Sequence, residues 1–198
     1  QIVQSVRAAS QARMEIIQKA AAGRAKAKPV EARPAVGVIA IAASTGGPAA
    51  LQRIAHGLPP DIDVPIVVAQ HMPAGFTRLF ADRLARQGHF GAVEAADGEP
   101  LQPGTIHVAP GGMQTSVRRG PEGACFTVRP REAGDVYAPS ADVLLVSAAE
   151  VFGAAVVGVI LTGMGDDGSR GAVDIRRRGG YVLAESIDTA LIYGMPRA

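Results

Sequence analysis

A chain of 198 residues that is 47% hydrophobic but only 4% aromatic, with no Trp, must build its core from Ala, Val, Ile and Leu, and it has length for one ordinary domain plus an extension. Its single cysteine, Cys125, excludes an internal disulfide and a cysteine-rich metal site, and no apolar run reaches the ~18–20 residues of a membrane span. The net charge of +2 divides unevenly: residues 1–34 hold seven basic and two acidic residues, leaving the remainder at −3, so a general affinity for nucleic acid could belong only to a tail that lacks interleaved aromatics.

The N-terminal QIVQSVRAAS has no basic start followed by an apolar core, so it does not read as a signal peptide. Ile2, Val6, Met14, Ile16 and Ile17 give partial helical periodicity, and AAAGRAKAKPVEARP then mixes small, charged and proline residues as a tether does. This places a basic linker over 1–34 and a domain over 35–198. A linker at the start of a chain that does not begin with Met is expected to follow another domain.

From Val36 strands and helices alternate. VGVIAIA (36–42) predicts a strand, and PAALQRIAHG (48–57) a helix with Pro48 at its first position. VPIVVAQ (64–70) and GFTRLFADRLARQG (75–88) repeat the pair. Residues 92–131 are rich in strands and turns, with a hairpin expected around Gly120-Pro121-Glu122-Gly123. A helix over 140–153, a strand over 154–162, a helix over 169–180 and a strand over 181–186 complete the series. The alternation predicts an α/β domain: a doubly wound, mostly parallel sheet with helices on both faces and a small antiparallel hairpin at one edge.

In such sheets ligands bind beyond the carboxyl ends of the strands. Three of those ends carry chemistry: Ser44-Thr45-Gly46-Gly47, then Gln70-His71-Met72-Pro73, then Gly163-Met164-Gly165-Asp166-Asp167-Gly168. A serine hydroxyl is a weak nucleophile until an imidazole takes its proton, and a carboxylate on the other ring nitrogen fixes the tautomer. Glycine turns at helix N-termini offer free N–H groups for a developing oxyanion. Each residue also has a plainer reading: Ser44 as a helix N-cap, His71 as a satisfied strand-end histidine, either aspartate as a cap. Spacing alone does not choose between Asp166 and Asp167. The glycine turns could also cradle an anion, but STGGP fits neither the Walker pattern nor GxGxxG, and no histidine pair has HxxxH or HExxH spacing. No metal or cofactor is expected. His56, His89 and His107 are weaker candidates, and Arg176-Arg177-Arg178 reads as a solvated last helical turn.

IAASTGGPAAL, VVAQHMPAGFTRLFADRL, LQPGTIHVAPGGM, PSADVLLVSAAEVFG, GVILTGMGDDGSRGAVDIRRRGG and IYGMP together resemble the catalytic domain of the chemotaxis protein-glutamate methylesterases, the CheB family, over about residues 36–198. The resemblance implies a doubly wound α/β fold and a triad in the order Ser…His…Asp. It carries the serine onto Ser44, the histidine onto His71 and the aspartate onto Asp167, the second acid of GMGxDG, with the Thr45 and Met164 N–H groups as the oxyanion hole. The implied reaction is hydrolysis of γ-glutamyl methyl esters on the cytoplasmic helices of chemoreceptors, with glutamine deamidation as a second activity. A receiver domain ahead of the linker, a cytoplasmic location and a monomeric state are expected with it; nucleic-acid binding and membrane insertion are not. Ala42 stands where the family often has Gly, Gln114 where it often has His, and YAPSAD replaces a more basic segment. These departures are expected to bear on receptor recognition and to leave the triad intact. Two other readings stay open: a non-catalytic anion-binding module, and an inactive receptor-docking regulator.

Overall fold

The computed structural model of the chain describes residues 35–88 and 90–198, so the linker expected over 1–34 and the candidate His89 lie outside the described residues. The sheet is built on β1 (Val38–Ala43), whose sequence VIAIAA is almost wholly buried because both of its faces are covered. Side chains alternate across a strand, so Val38, Ala40 and Ala42 face one layer while Ile41 and Ala43 face the other.

β1 pairs in parallel with β2 (Ile66–Gln70) on one side and β7 (Val156–Ile160) on the other. With β3 (Gly91–Glu94), β4 (Thr105–Val108) and β8 (Tyr181–Ala184) the order across the all-parallel sheet is β3-β4-β2-β1-β7-β8. Helices α1 (Gly47–Gly57) and α2 (Phe76–Gln87) seal one face through Leu51, Ala55, Phe80 and Leu84. On the other face lie α3 (Ala141–Phe152), through Leu144, Leu145 and Ala148, and α4 (Ser169–Arg177), through Ile175. Fully burying one such aliphatic side chain contributes roughly 1.5–3 kcal/mol. Among the described residues no helix is long and apolar enough to cross a membrane.

Element bounds shift where local chemistry intervenes. Ser140 lies outside α3 as its N-cap, accepting from Val143 N. Gly153–Ala155 form a 3₁₀ turn, so β7 starts at Val156. The hairpin forms as expected from β5 (Met113–Gly120) and β6 (Gly123–Pro130), but as a two-stranded sheet of its own. Its β6 is tied to the segment between β3 and β4 by Leu101 N→Ala124 O (3.0 Å) and Phe126 N→Glu99 O (2.9 Å). Its β5 meets α3 through Val117 N→Ser147 Oγ (2.9 Å).

The chain leaves β1 toward β2 and later returns on the opposite side as β7, so the strand order reverses beside β1. A crevice beyond the carboxyl ends of the strands is expected at such a reversal. The tips of β2, β1 and β7 carry His71, Ser44 and the 163–168 turn.

Candidate active site

Ser44 is the first residue past β1, and its N–H is held by Thr162 O at the tip of β7 (3.0 Å). The chain turns at once: Gly47 N–H donates to Ser44 O (2.9 Å), and Gly46 takes φ 87°, a left-handed conformation that disfavours any side chain. Gly163 sits against this turn, and a Cβ there would lie 2.8 Å from Ser44 Cβ, so glycine lets the β7 tip approach the serine.

His71 follows β2 in the same way. Its N–H donates to Ala43 O (2.9 Å), continuing the register in which Ala43 pairs with Gln70. That register brings residues 44 and 71 side by side on adjacent strands. Gln70 is buried, and its carboxamide Nε2 donates to both Ser44 O (2.9 Å) and His71 O (3.0 Å). One side chain thereby fixes the spacing between the two backbones.

The imidazole Nε2 lies 2.8 Å from Asp167 Oδ2, and the ring is stacked on Tyr137 with centroids 4.5 Å apart and planes within 5°. Asp167, 5% exposed, also accepts from Ala141 N–H (2.7 Å), Asp142 N–H (2.9 Å) and Ser140 Oγ (3.0 Å). The two N–H groups are free ends of α3, which favour a negative charge. Burial opposes that charge, but the hydrogen bonds from His71, Asp142, Ala141 and Ser140 outweigh it and hold the carboxyl below its ordinary pKa. Asp166 differs: its carboxylate is exposed and has no partner among the described residues.

The ring's other nitrogen, Nδ1, has no hydrogen-bond partner among the described residues, Ser44 Oγ included. Ser44 Oγ itself has no partner among the described residues, and neither does the N–H of Thr45 or of Met164. Both of these residues are exposed, Met164 at 72%. Among the described residues the Asp167 carboxylate is thus fully engaged, while on the Ser44 side the hydroxyl, Nδ1 and the two N–H groups are left without partners.

Two loops close the arrangement. Thr162 Oγ1 donates to Thr45 O (2.9 Å) and accepts from Ile192 N–H (2.9 Å). Gly163 then exchanges backbone bonds with Ile192 and Met195, so the IYGMP stretch straps the β7 tip. On the other side Gly112 N–H donates to Ala138 O (3.0 Å), joining PGGM to YAPSAD. A cleft of about 570 Å³ lined by Tyr137, Asp142, Asp166, Asp167 and Arg170 flanks the carboxylate, but Ser44 and His71 do not line it.

The two described histidines among the weaker candidates, His56 and His107, make structural contacts. His56 Nδ1 donates to Gln52 O (2.8 Å) in the last turn of α1, where positive charge is favourable. His107 is buried in β4, accepts from Gln102 N–H (3.0 Å), and has its pKa lowered chiefly by burial. Arg176, Arg177 and Arg178 are exposed at the end of α4, with Arg178 paired to Asp174 (2.8 Å).

Gln70, Gln114, Tyr137, Ser140 and Thr162 escape a reading by motif, because their partners lie far away in sequence. Only Gln70 leaves a local trace, an amide closing an otherwise apolar strand. Gln114, expected to bear on receptor recognition, is instead 3% exposed and bonded within the fold.

The family model described as CheB methylesterase matches residues 39–198. The chain is 51% identical over 161 residues to the protein-glutamate methylesterase/protein-glutamine glutaminase 3 of Geobacter sulfurreducens, covering 81% of this chain and 43% of that protein. It is 44% identical over 196 residues to the corresponding protein 1 of Myxococcus xanthus, covering 99% and 56%. The chain thus spans about half the length of the curated relatives it matches. The crystal structure of the Thermotoga maritima CheB methylesterase catalytic domain superposes with a TM-score of 0.78 at 37% identity, over 83% of this chain and 87% of that one.

Proposed function

The chain belongs to the CheB methylesterase family, and from that premise we propose that it hydrolyses γ-glutamyl methyl esters on chemoreceptors through Ser44, His71 and Asp167. The observation that carries the reading is the 2.8 Å bond from His71 to the buried Asp167 carboxylate, on the strand tip next to a serine hydroxyl that has no partner among the described residues.

In this reading Asp167 holds the imidazole with its proton on Nε2, leaving Nδ1 to act as base. Adjacent strands lie about 4.8 Å apart, a gap that side-chain rotation spans, and catalytic hydrogen bonds commonly tighten only when substrate binds. Ser44 Oγ attacks the ester carbonyl as its proton passes to Nδ1. The oxyanion takes the free N–H groups of Thr45 and Met164. Collapse expels methanol, which leaves with the proton from the imidazolium. Water, activated by the same nitrogen, then releases the glutamate. With a glutamine side chain the same steps expel ammonia, the glutaminase activity that the relatives' names carry.

The substrate is a side chain on a protein, so the exposed rim around Thr45 and Met164 suits it better than a deep pocket would. We place the protein in the cytoplasm as a monomer acting on receptor helices in chemotactic adaptation, and read residues 1–34 as the tether to a receiver domain. The similarity to the Myxococcus relative runs over 196 residues, into 1–34, and that protein is longer than this chain, which supports the tether reading.

The test is methanol release from a methylated chemoreceptor by the wild type and by Ser44→Ala, His71→Ala and Asp167→Ala. Loss of release in all three is expected. Release by the Ser44 variant at the wild-type rate would end the proposal.

A further inference from the structure

Gln114 is a buried carboxamide near the start of β5, and its hydrogen bonds all end on the 135–140 segment. Oε1 accepts from Ser140 N–H (2.8 Å), while Nε2 donates to Tyr137 O (3.2 Å) and to Asp135 Oδ1 (3.1 Å). That segment reaches both partners of the histidine. Ser140 Oγ donates to Asp167 Oδ1, and the Tyr137 ring lies against the imidazole face. Asp135 is anchored in turn by the Arg129 guanidinium through two bonds of 2.8 and 3.0 Å. One amide thus braces the platform under the ring and the donor that orients the carboxylate.

We propose that Gln114 is a positioning residue for His71, holding Tyr137 as the ring's stacking platform and Ser140 as the orienting donor to Asp167. The inference rests on His71 being the base of the proposed hydrolase. A parallel aromatic ring restricts an imidazole to rotation in its own plane. The ring is then already set when the serine proton arrives. A merely structural amide would affect folding and leave the ring's geometry alone.

The experiment compares Gln114→Met, Tyr137→Leu and Tyr137→Phe with wild type. It measures kcat and KM for methanol release from a methylated receptor fragment, and the His71 Nε2–H signal by NMR. Gln114→Met and Tyr137→Leu are expected to lower kcat by about 10–100-fold with KM changed by no more than about threefold, as misplacement of a catalytic group does. In both, the Nε2–H signal should shift and broaden, and Tyr137→Phe should recover most of the rate that Leu removes. If Gln114→Met fails to fold, the Tyr137 pair decides, since that ring sits on a half-exposed loop. A kcat within about twofold of wild type in Tyr137→Leu, with an unchanged signal, overturns the proposal. If the wild type releases no methanol while the Nε2–H signal still shifts in Gln114→Met and Tyr137→Leu, the hydrolase reading is overturned and what stands is that Gln114 and Tyr137 set the His71 ring.

Discussion

The two sides of His71 are built differently. Toward Asp167, four donors converge on a buried carboxylate: the imidazole, the first N–H groups of α3, and Ser140 Oγ. Toward Ser44, the hydroxyl, the second ring nitrogen and two nearby N–H groups have no partner among the described residues. Donors aimed in advance cost no reorganisation when charge develops, whereas donors left free are available to whatever enters. The contrast separates a region bonded into the fold from an open one where the proposed mechanism places the substrate. It predicts that substitutions on the two sides will divide their effects between stability and rate in different ways.

The largest effect is expected from Ser44→Ala. On the open side this removes the proposed nucleophile and breaks no described side-chain bond, so under the proposed mechanism kcat should fall by at least about 10⁴-fold, as loss of a triad member does. Stability should stay within about 0.5 kcal/mol of wild type, checked by urea unfolding. A large loss of stability would mean that the serine is part of the scaffold and that the two sides are not distinct.

Asp167→Ala should instead fail in both measurements. The rate should drop by about 10⁴-fold, and unfolding should be easier by roughly 3 kcal/mol because charge-accepted bonds are lost and buried N–H groups stranded. Rate loss without destabilisation would place Asp167 outside the scaffold.

Acid sharpens the same contrast. The folded Asp167 carboxyl lies below its unfolded value of 3.8, so its stabilisation is fully present above that pH and is lost as pH falls through the folded value. The stability gap between wild type and Asp167→Asn should therefore be steady near neutrality and narrow below about pH 3.8 in denaturant titrations. A gap that held constant down to pH 2 would show that the charge contributes little.

The open side was largely legible in the chain, because it is made where strands stop. A run such as VGVIAIAAS has to end in a turn, and the residue at its end projects into the crevice whatever packs around it. Ser44 and His71 could be placed that way from local pattern alone. The bonded side was not legible from local pattern, and only the family resemblance singled out Asp167. Its members lie 23–27 residues apart where Gln114 meets Tyr137 and Ser140 or where Asp167 meets the start of α3, and 96 apart between His71 and Asp167. Nothing in GMGDDG shows which aspartate turns inward, since that depends on where α3 delivers its N-terminus. The hairpin teaches the same lesson: its turn was readable at Pro121-Glu122, but its separation from the main sheet depends on the distant 98–101 segment and on Ser147.

That ambiguity supplies the smallest prediction and the most discriminating one. Asp166 and Asp167 are neighbours of the same chemistry in one turn, so composition and net charge cannot separate their variants. Burial and partners do. Asp167 is 5% exposed with four donors, whereas among the described residues Asp166 engages the fold only through its backbone carbonyl, which accepts from Ser169 N–H at 3.0 Å. Asp166→Ala keeps that carbonyl and loses only an exposed charge, so kcat should stay within about threefold and stability within about 0.5 kcal/mol of wild type. A greater fall in rate, with KM rising and kcat steady, would assign Asp166 to substrate binding along the cleft it lines. A fall in kcat as deep as that of Asp167→Ala would mean that the carboxylate acting on the imidazole in solution is not the one bonded to it here.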